Sequence, residues 1–160
     1  GASGYVGTNL VPCLAARGLT VRAAARRRAT LDARGWPGTV EIVAADALVP
    51  DTLPAALHGI DVAYYLVHSM AAGPDFPQLD RMAAENFRDA AERGGVRRIV
   101  YLGGLQPAGD ASAHLASRGE TGAILPVPMP PLGPERMGIP IPPSAAGTAY
   151  HRVGPPETTA

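Results

Sequence analysis

The sequence predicts an α/β fold, a doubly wound parallel sheet lacking its first strand, and three observations carry that prediction. The chain opens on Gly1-Ala2-Ser3-Gly4-Tyr5-Val6-Gly7, a glycine spacing that suits a tight turn, a close backbone approach and a close helix contact in succession. Short apolar runs then alternate with stretches of helical periodicity, the pattern of repeated strand and helix units. The run Val62-Ala63-Tyr64-Tyr65-Leu66-Val67 is apolar at every position, as expected of a central parallel strand covered on both faces. No strand precedes the glycine turn, so the chain is expected to be a fragment of its parent domain.

Over residues 5–17, Val6, Leu10, Val11 and Leu14 recur at helical spacing, and Gly18 supplies a C-cap. Pro12 removes a backbone donor and is expected to kink or shorten that helix. Cys13, amid Leu10, Val11 and Leu14, is expected on its buried face as a structural thiol. Residues 20–25 and 40–44 read as strands and 51–57 as a short helix ending near Gly59. A longer helix is expected over 76–93, with Met82, Phe87 and Ala90 inward and Gly94-Gly95 stopping it. Residues 98–102 form the next buried strand, closed by Gly103-Gly104.

The 160 residues, 46% of them hydrophobic, suffice for one domain. Fourteen basic side chains balance fourteen acidic ones, so no net field recruits nucleic acid or an anionic membrane, and neither is expected as a partner. No apolar run approaches the roughly 18 residues needed to span a bilayer. The lone Cys13 forms no internal disulfide, which fits a reducing cytoplasm. Residues 1–125 form the expected domain. Residues 126–160 hold 10 of the 17 prolines and 4 glycines, a composition expected of a disordered tail, with a polyproline ligand as the alternative. All basic residues are Arg, which suggests a GC-rich gene, and a change of reading frame near codon 125 is the expected origin of the tail.

The chemistry starts at the turn. Backbone N–H groups at a helix start bind phosphates, so Gly1, Ser3, Gly4, Tyr5, Val6 and Gly7 form the expected pyrophosphate cradle of a dinucleotide. The strand over 20–25 ends in Arg26-Arg27-Arg28 where an acid would hold the ribose 2′-OH of NAD. Arg26 therefore points to the 2′-phosphate of NADP, with NAD second, and Arg27 and Arg28 read as a solvated turn. Asp46, with Ala47, follows the next strand at the adenine position, although Asp46 equally suits a turn or helix cap. Leu66 and Val67 end the 62–67 strand at the edge where ligands bind, and His68-Ser69-Met70 follow. His68 has the chemistry of a general acid or base, but the sequence displays no partner for it.

Together these stretches, with Gly95-Val96-Arg97-Arg98-Ile99-Val100-Tyr101-Leu102-Gly103-Gly104-Leu105, resemble the atypical short-chain dehydrogenase/reductase group, in particular its NmrA-like and epimerase-like NAD(P)-binding members. The resemblance covers about residues 1 to 125. It implies a Rossmann fold of strand order 3-2-1-4-5, the turn on pyrophosphate, Arg26 on the 2′-phosphate and Asp46 at adenine. Catalytic members of the wider superfamily carry a Ser near the end of the fifth strand and a Tyr-xxx-Lys pair on the next helix. Here those positions read Gly103-Gly104, His114 and Arg118, so His114 and Arg118 are the candidate catalytic residues that remain. Val49 replaces an acid usual after Asp46, and the family pattern stops after Leu125, where relatives continue into a substrate-binding region.

The resemblance implies an NADP-dependent oxidoreductase acting on a small molecule. Its alternatives are a non-catalytic NADP(H)-sensing module and an inactive fragment. In the implied order the absent strand is central, leaving a slot whose edges have no ladder partner. Each buried unsatisfied group costs about 1–3 kcal/mol, against about 5–15 kcal/mol for a whole domain. The isolated chain is therefore expected to be unstable or molten; a cooperative thermal transition with slow amide exchange around Tyr65 would overturn this.

Overall fold

Four short parallel strands and five helices alternate along the computed structural model, which describes residues 1–69, 73, 75–104 and 112–126. The expected tail lies outside the described residues from 127 onward, as does Met70. The order is α1 (Tyr5–Ala16), β1 (Val21–Ala25), α2 (Arg28–Asp32), β2 (Val40–Ala44), a 3-10 turn (Pro50–Thr52) running into α3 (Leu53–Leu57), β3 (Val62–Tyr65), α4 (Phe76–Arg93), β4 (Arg98–Tyr101) and α5 (Ala113–Ile124).

The strands form two parallel pairs. β1 lies beside β2 in the register Val21 to Val40 through Ala25 to Ala44, and β3 beside β4 from Val62 to Arg98 through Tyr65 to Tyr101. These are the outer halves of the expected sheet, and among the described residues no strand joins β1 to β3. Gly1 and Ala2 stand at the carboxyl end of that space. Both donate to the carbonyl of Ala24, at 3.3 and 3.1 Å, while Gly1 abuts Leu66 beyond β3. Arg22 on β1 adds a polar tie: its guanidinium binds Glu41 at 2.7 Å and donates to the carbonyls of Ala56 and His58 at 3.2 and 2.7 Å. The carbonyls at the end of α3 carry partial negative charge, which a guanidinium satisfies.

Each pair has its own apolar packing. Val11, Val21, Ala23, Leu31 and Val40 enclose one side, with Leu14 and Trp36 against them. On the other, Leu53, Leu57, Ala63, Ala90 and Ala91 form one cluster, and Tyr65, Ala84 and Leu125 a second. Ala83, Ala84, Ala90 and Ala91 are at most 2% exposed, so small side chains let α4 lie close on β3. Gly18 and Gly95 adopt φ of 76° and 74° after α1 and α4, the left-handed conformation that ends a helix.

Several sequence expectations are corrected. Helix α1 runs through Pro12 for 12 residues, because Gly7, Val11 and Leu14 pack on either side of the lost hydrogen bond. Cys13 is exposed, since the inward stripe is Gly7, Val11, Leu14 and Ala15, and a residue two places from Val11 lies on the opposite face. Val6 is also outward, at 40% exposure. In α4 Met82 is 45% exposed while Asp80 takes an inward position. β3 is covered on one face: Ala63 and Tyr65 are buried, but Val62 and Tyr64 are 39% and 41% exposed, because nothing described packs over them. β4 is likewise only partly buried. The five-residue α2 was not expected, being too short to display a period.

Tyr65 is 1% exposed and meets Phe87 edge-on at 4.9 Å. Burial first, then the charges of Asp80 and Tyr101, hold its phenol protonated far above the ordinary tyrosine range. An unfolded chain releases this proton near pH 10 while the folded chain keeps it, so the folded state binds more protons there and stability falls as pH rises above about 10. Tyr65→Phe is expected to reduce that alkaline loss, measured as the urea midpoint between about pH 9 and 11.5.

Candidate functional site

At the glycine turn the backbone takes up space that side chains would need. A β-carbon on Gly1 would stand 2.5 Å from Cβ and O of Leu66, and one on Gly7 would stand 2.6 Å from Cα of Ala2 and O of Gly1. At Gly4 the nearest obstacle is O of Gly1 at 3.4 Å, so the protein leaves that position open. Gly4 N donates to Gly1 O at 3.1 Å, and Thr8 N to Gly4 O at 2.9 Å begins the helical ladder. The N–H groups of Tyr5, Val6 and Gly7 have no acceptor among the described residues, and neither a cap nor an acid occupies the first turn of α1. Three free donors and the positive end of a helix dipole converge there, a setting for an anion.

The arginines divide by commitment. Arg34 donates to the carbonyl of Ser3 at 2.9 Å and so braces the turn, a role with no signal in the sequence. Arg28 donates to Ile42 O at 2.8 Å and lies 3.6 Å from Asp32. Arg26 is exposed and has no hydrogen bond or ion pair among the described residues. Its charge nevertheless reaches the turn at the nitrogen of Gly1.

A cleft opens from the turn to the carboxyl ends of β3 and β4. Leu66, Val67 and His68 line it from the loop after β3, Tyr101 from the end of β4, Leu102 from just beyond it, and Arg118 from α5. Parallel strands bring these ends to one edge, which is where ligands bind in such sheets. Of the expected site residues, Gly1, Gly4, Tyr5, Val6, Gly7, Leu66, Val67 and Arg118 meet here, while Ser3, Arg26, Asp46, Ala47 and His114 lie outside the lining. Asp46 accepts from Leu48 N at 3.0 Å through one carboxylate oxygen, a turn contact, and its backbone exchanges hydrogen bonds with Thr52 Oγ1. Ala47 is buried, and its carbonyl accepts from Asn86 at 2.9 Å.

Arg118 donates to Leu102 O and lies over the Tyr101 ring, 5.8 Å from its centroid. Gly104 makes this possible: a β-carbon there would come within 2.9 Å of Leu115 and 3.4 Å of Arg118. Asp80 was missed by the sequence reading. It is 5% exposed, and it accepts from Ser69 N at 2.8 Å and Ser117 Oγ at 3.2 Å. An acid at the spacing of Phe76, Ala83, Ala84 and Phe87 on one helix face was the available signal. Among the described residues no group of His, Cys, Asp and Glu is arranged to hold a metal, and no helix is long and apolar enough to cross a membrane.

The family model described as NAD(P)H-binding matches residues 1–124. The chain belongs to this family. An unpaired helix start, a cradle that β-carbons would fill and a free arginine beside it fit the dinucleotide for which the family is named. A relative at 31% identity over 111 residues is the 4-hydroxy-2-methyl-3-oxo-4-farnesyl-3,4-dihydroquinoline-1-oxide ketoreductase of Stigmatella aurantiaca; the match takes in 64% of this chain and 31% of that protein. Triphenylmethane reductase from Citrobacter sp., complexed with NADP(H), shares the fold at TM-score 0.64 and 20% identity, over 78% of this chain and 43% of that one. A short-chain dehydrogenase/reductase superfamily protein from Agrobacterium tumefaciens with bound NAD shares it at TM-score 0.62 and 21% identity, over 78% and 42%. The chain thus spans less than half the length of these relatives. The Rossmann architecture of the NAD(P)H-binding domain is as the sequence predicted.

Gly4→Ala and Gly7→Ala separate the two uses of glycine. Gly4→Ala is expected to leave the unfolding free energy from urea titration within about 0.5 kcal/mol of the parent while weakening NAD(P)H binding at least about tenfold, because a methyl at the open helix start obstructs an anion there. Gly7→Ala, which collides with backbone, is expected to lose stability and binding together.

Proposed function

We propose that the chain is the dinucleotide-binding part, residues 1–125, of an NADPH-dependent oxidoreductase of the atypical short-chain dehydrogenase/reductase type that reduces a small-molecule carbonyl in the cytoplasm. One observation carries the reading: a glycine cradle with three unpaired N–H groups opens into a cleft at the carboxyl ends of parallel strands. The ketoreductase relative supports a carbonyl as the reacting group. When bound, the reduced nicotinamide supplies a hydride.

The chain's own groups do the rest. The N–H groups of Tyr5, Val6 and Gly7 bind pyrophosphate oxygens, and Gly4 admits them closely. Arg26, uncommitted to any acceptor among the described residues, pairs with the 2′-phosphate, for which a guanidinium fork is better shaped than a point charge. Asp46, through its remaining carboxylate oxygen, and Ala47 border the adenine. Leu66 and Val67 flank the nicotinamide end and keep water from it. A second reading, a domain that senses NADP(H) without catalysis, is favoured by one feature: Leu115 and Arg118 close on Gly104 where a Ser would stand in catalytic relatives.

Fluorescence titration tests the cofactor assignment. Arg26→Ala is expected to weaken NADPH binding about tenfold or more while leaving NADH binding unchanged. An equal loss for both dinucleotides removes Arg26 from the 2′-phosphate.

A further inference from the structure

A carboxylate on the inward face of α4 costs stability unless its oxygens are partnered, and alanine fills the neighbouring inward positions Ala83 and Ala84. Asp80 is partnered fully. Its Oδ1 accepts from Ser69 N at 2.8 Å, and its Oδ2 accepts from Ser117 Oγ at 3.2 Å and stands 3.4 Å from Nδ1 of His68. The three contacts join the loop after β3, α4 and α5 at one carboxylate. The third contact sets Asp80 beside Nδ1 of an imidazole whose side chain is 30% exposed and lines the cleft. With Nδ1 turned to Asp80, the far nitrogen, Nε2, faces away from the carboxylate. His114 stacks on the His68 ring at 5.0 Å between centroids and 29° between planes, with Phe76 6.2 Å behind His114. One edge and one face of His68 are thus held, and its other edge is free.

We infer that His68, oriented by Asp80, gives the proton to the oxygen of a ketone reduced in this cleft. The inference rests on the reductase reading above and adds a donor that the positions of His114 and Arg118 do not supply. His114 lies outside the cleft lining, and its Nδ1 is buried without a partner, so it backs the His68 ring. Arg118 donates to Leu102 O, and an arginine does not release its proton in proteins.

The remaining ionisable groups around His68 are also unsuited. Tyr65 is 1% exposed and held protonated by burial, then by Asp80 and Tyr101. The phenol of Tyr101 is bonded to Thr121 and raised by burial above all. Tyr5 lines the cleft but is 86% exposed to solvent. Histidine is the side-chain type that ordinarily exchanges protons between about pH 5 and 8.

The balance is that of ketone reduction. A hydride from the reduced dinucleotide forms the new C–H bond, and the π pair of the carbonyl moves onto oxygen. That pair forms the O–H bond with the proton of His68 Nε2, whose N–H pair stays on the ring. The products are a secondary alcohol, the oxidised dinucleotide and neutral His68, which regains a proton from solvent. Asp80 acts through His68 and is a positioning residue.

The test uses the full chain, NADPH and 9,10-phenanthrenequinone as the carbonyl probe, with dinucleotide binding read separately by fluorescence. His68→Gln and His68→Asn are both expected to keep NADPH affinity within threefold while lowering kcat about 100-fold or more. Asp80→Asn is expected to lower kcat about tenfold or more with KM unchanged, because the imidazole loses the carboxylate beside its Nδ1. Turnover retained within threefold in both His68 variants, or kcat unchanged in Asp80→Asn, overturns the inference. NADPH binding by the parent without quinone turnover also overturns it and leaves the dinucleotide site standing. No NADPH binding by the parent removes the reductase reading and this inference with it.

Discussion

The architecture depends on one close approach, the seating of Gly1 between the carboxyl end of β1 and Leu66 beyond β3. No side chain fits there, since a β-carbon would fall 2.5 Å from Leu66. The same two residues that occupy this space also donate to Ala24, so the turn is registered against β1 by hydrogen bonds and against β3 by van der Waals contact. Sheet halves that share no ladder therefore present their carboxyl ends to one cleft. Steric exclusion sets this geometry more than attraction does, because backbone atoms in contact leave few alternative arrangements.

Charge is distributed with similar economy. The chain has no Lys, and several of its guanidinium groups donate to backbone carbonyls: Arg22 at the end of α3, Arg28 at Ile42, Arg34 at Ser3 and Arg118 at Leu102. A planar fork can satisfy two carbonyls at once, which suits a domain of short strands and short helices. Arg26 stands apart from these because no such carbonyl claims it. Its freedom, more than its position, distinguishes it from Arg28 two residues on.

The second organising element is Asp80. A buried carboxylate is tolerated because two N–H or O–H donors and an imidazole surround it, and those partners come from three different segments. Removing the side chain would leave the Ser69 N–H and the Ser117 hydroxyl without their acceptor, so the cluster ties the loop after β3 to α4 and α5. The histidines at 68 and 114, 46 residues apart in sequence, become stacked neighbours through this arrangement.

The glycine turn, the alternation of strands and helices, the bounds of β2 and α4 and the cofactor class were legible in the sequence, because each rests on local chemistry: glycine spacing, apolar runs, helix stops. Which face each residue takes was only partly legible. Cys13 and Met82 sit beside apolar neighbours in sequence but a half-turn away in space, and the exposed edge of Val62 and Tyr64 depends on what packs over β3. The sequence by itself determined an NAD(P)H-binding Rossmann domain and the residues of its turn. Only the tertiary structure decided that Arg34 braces the turn, that Asp46 spends an oxygen on Leu48, and that His68 has Asp80 as its partner. Those contacts join residues 11 to 37 positions apart, or turn on a side chain's choice between neighbours, and no local pattern specifies them.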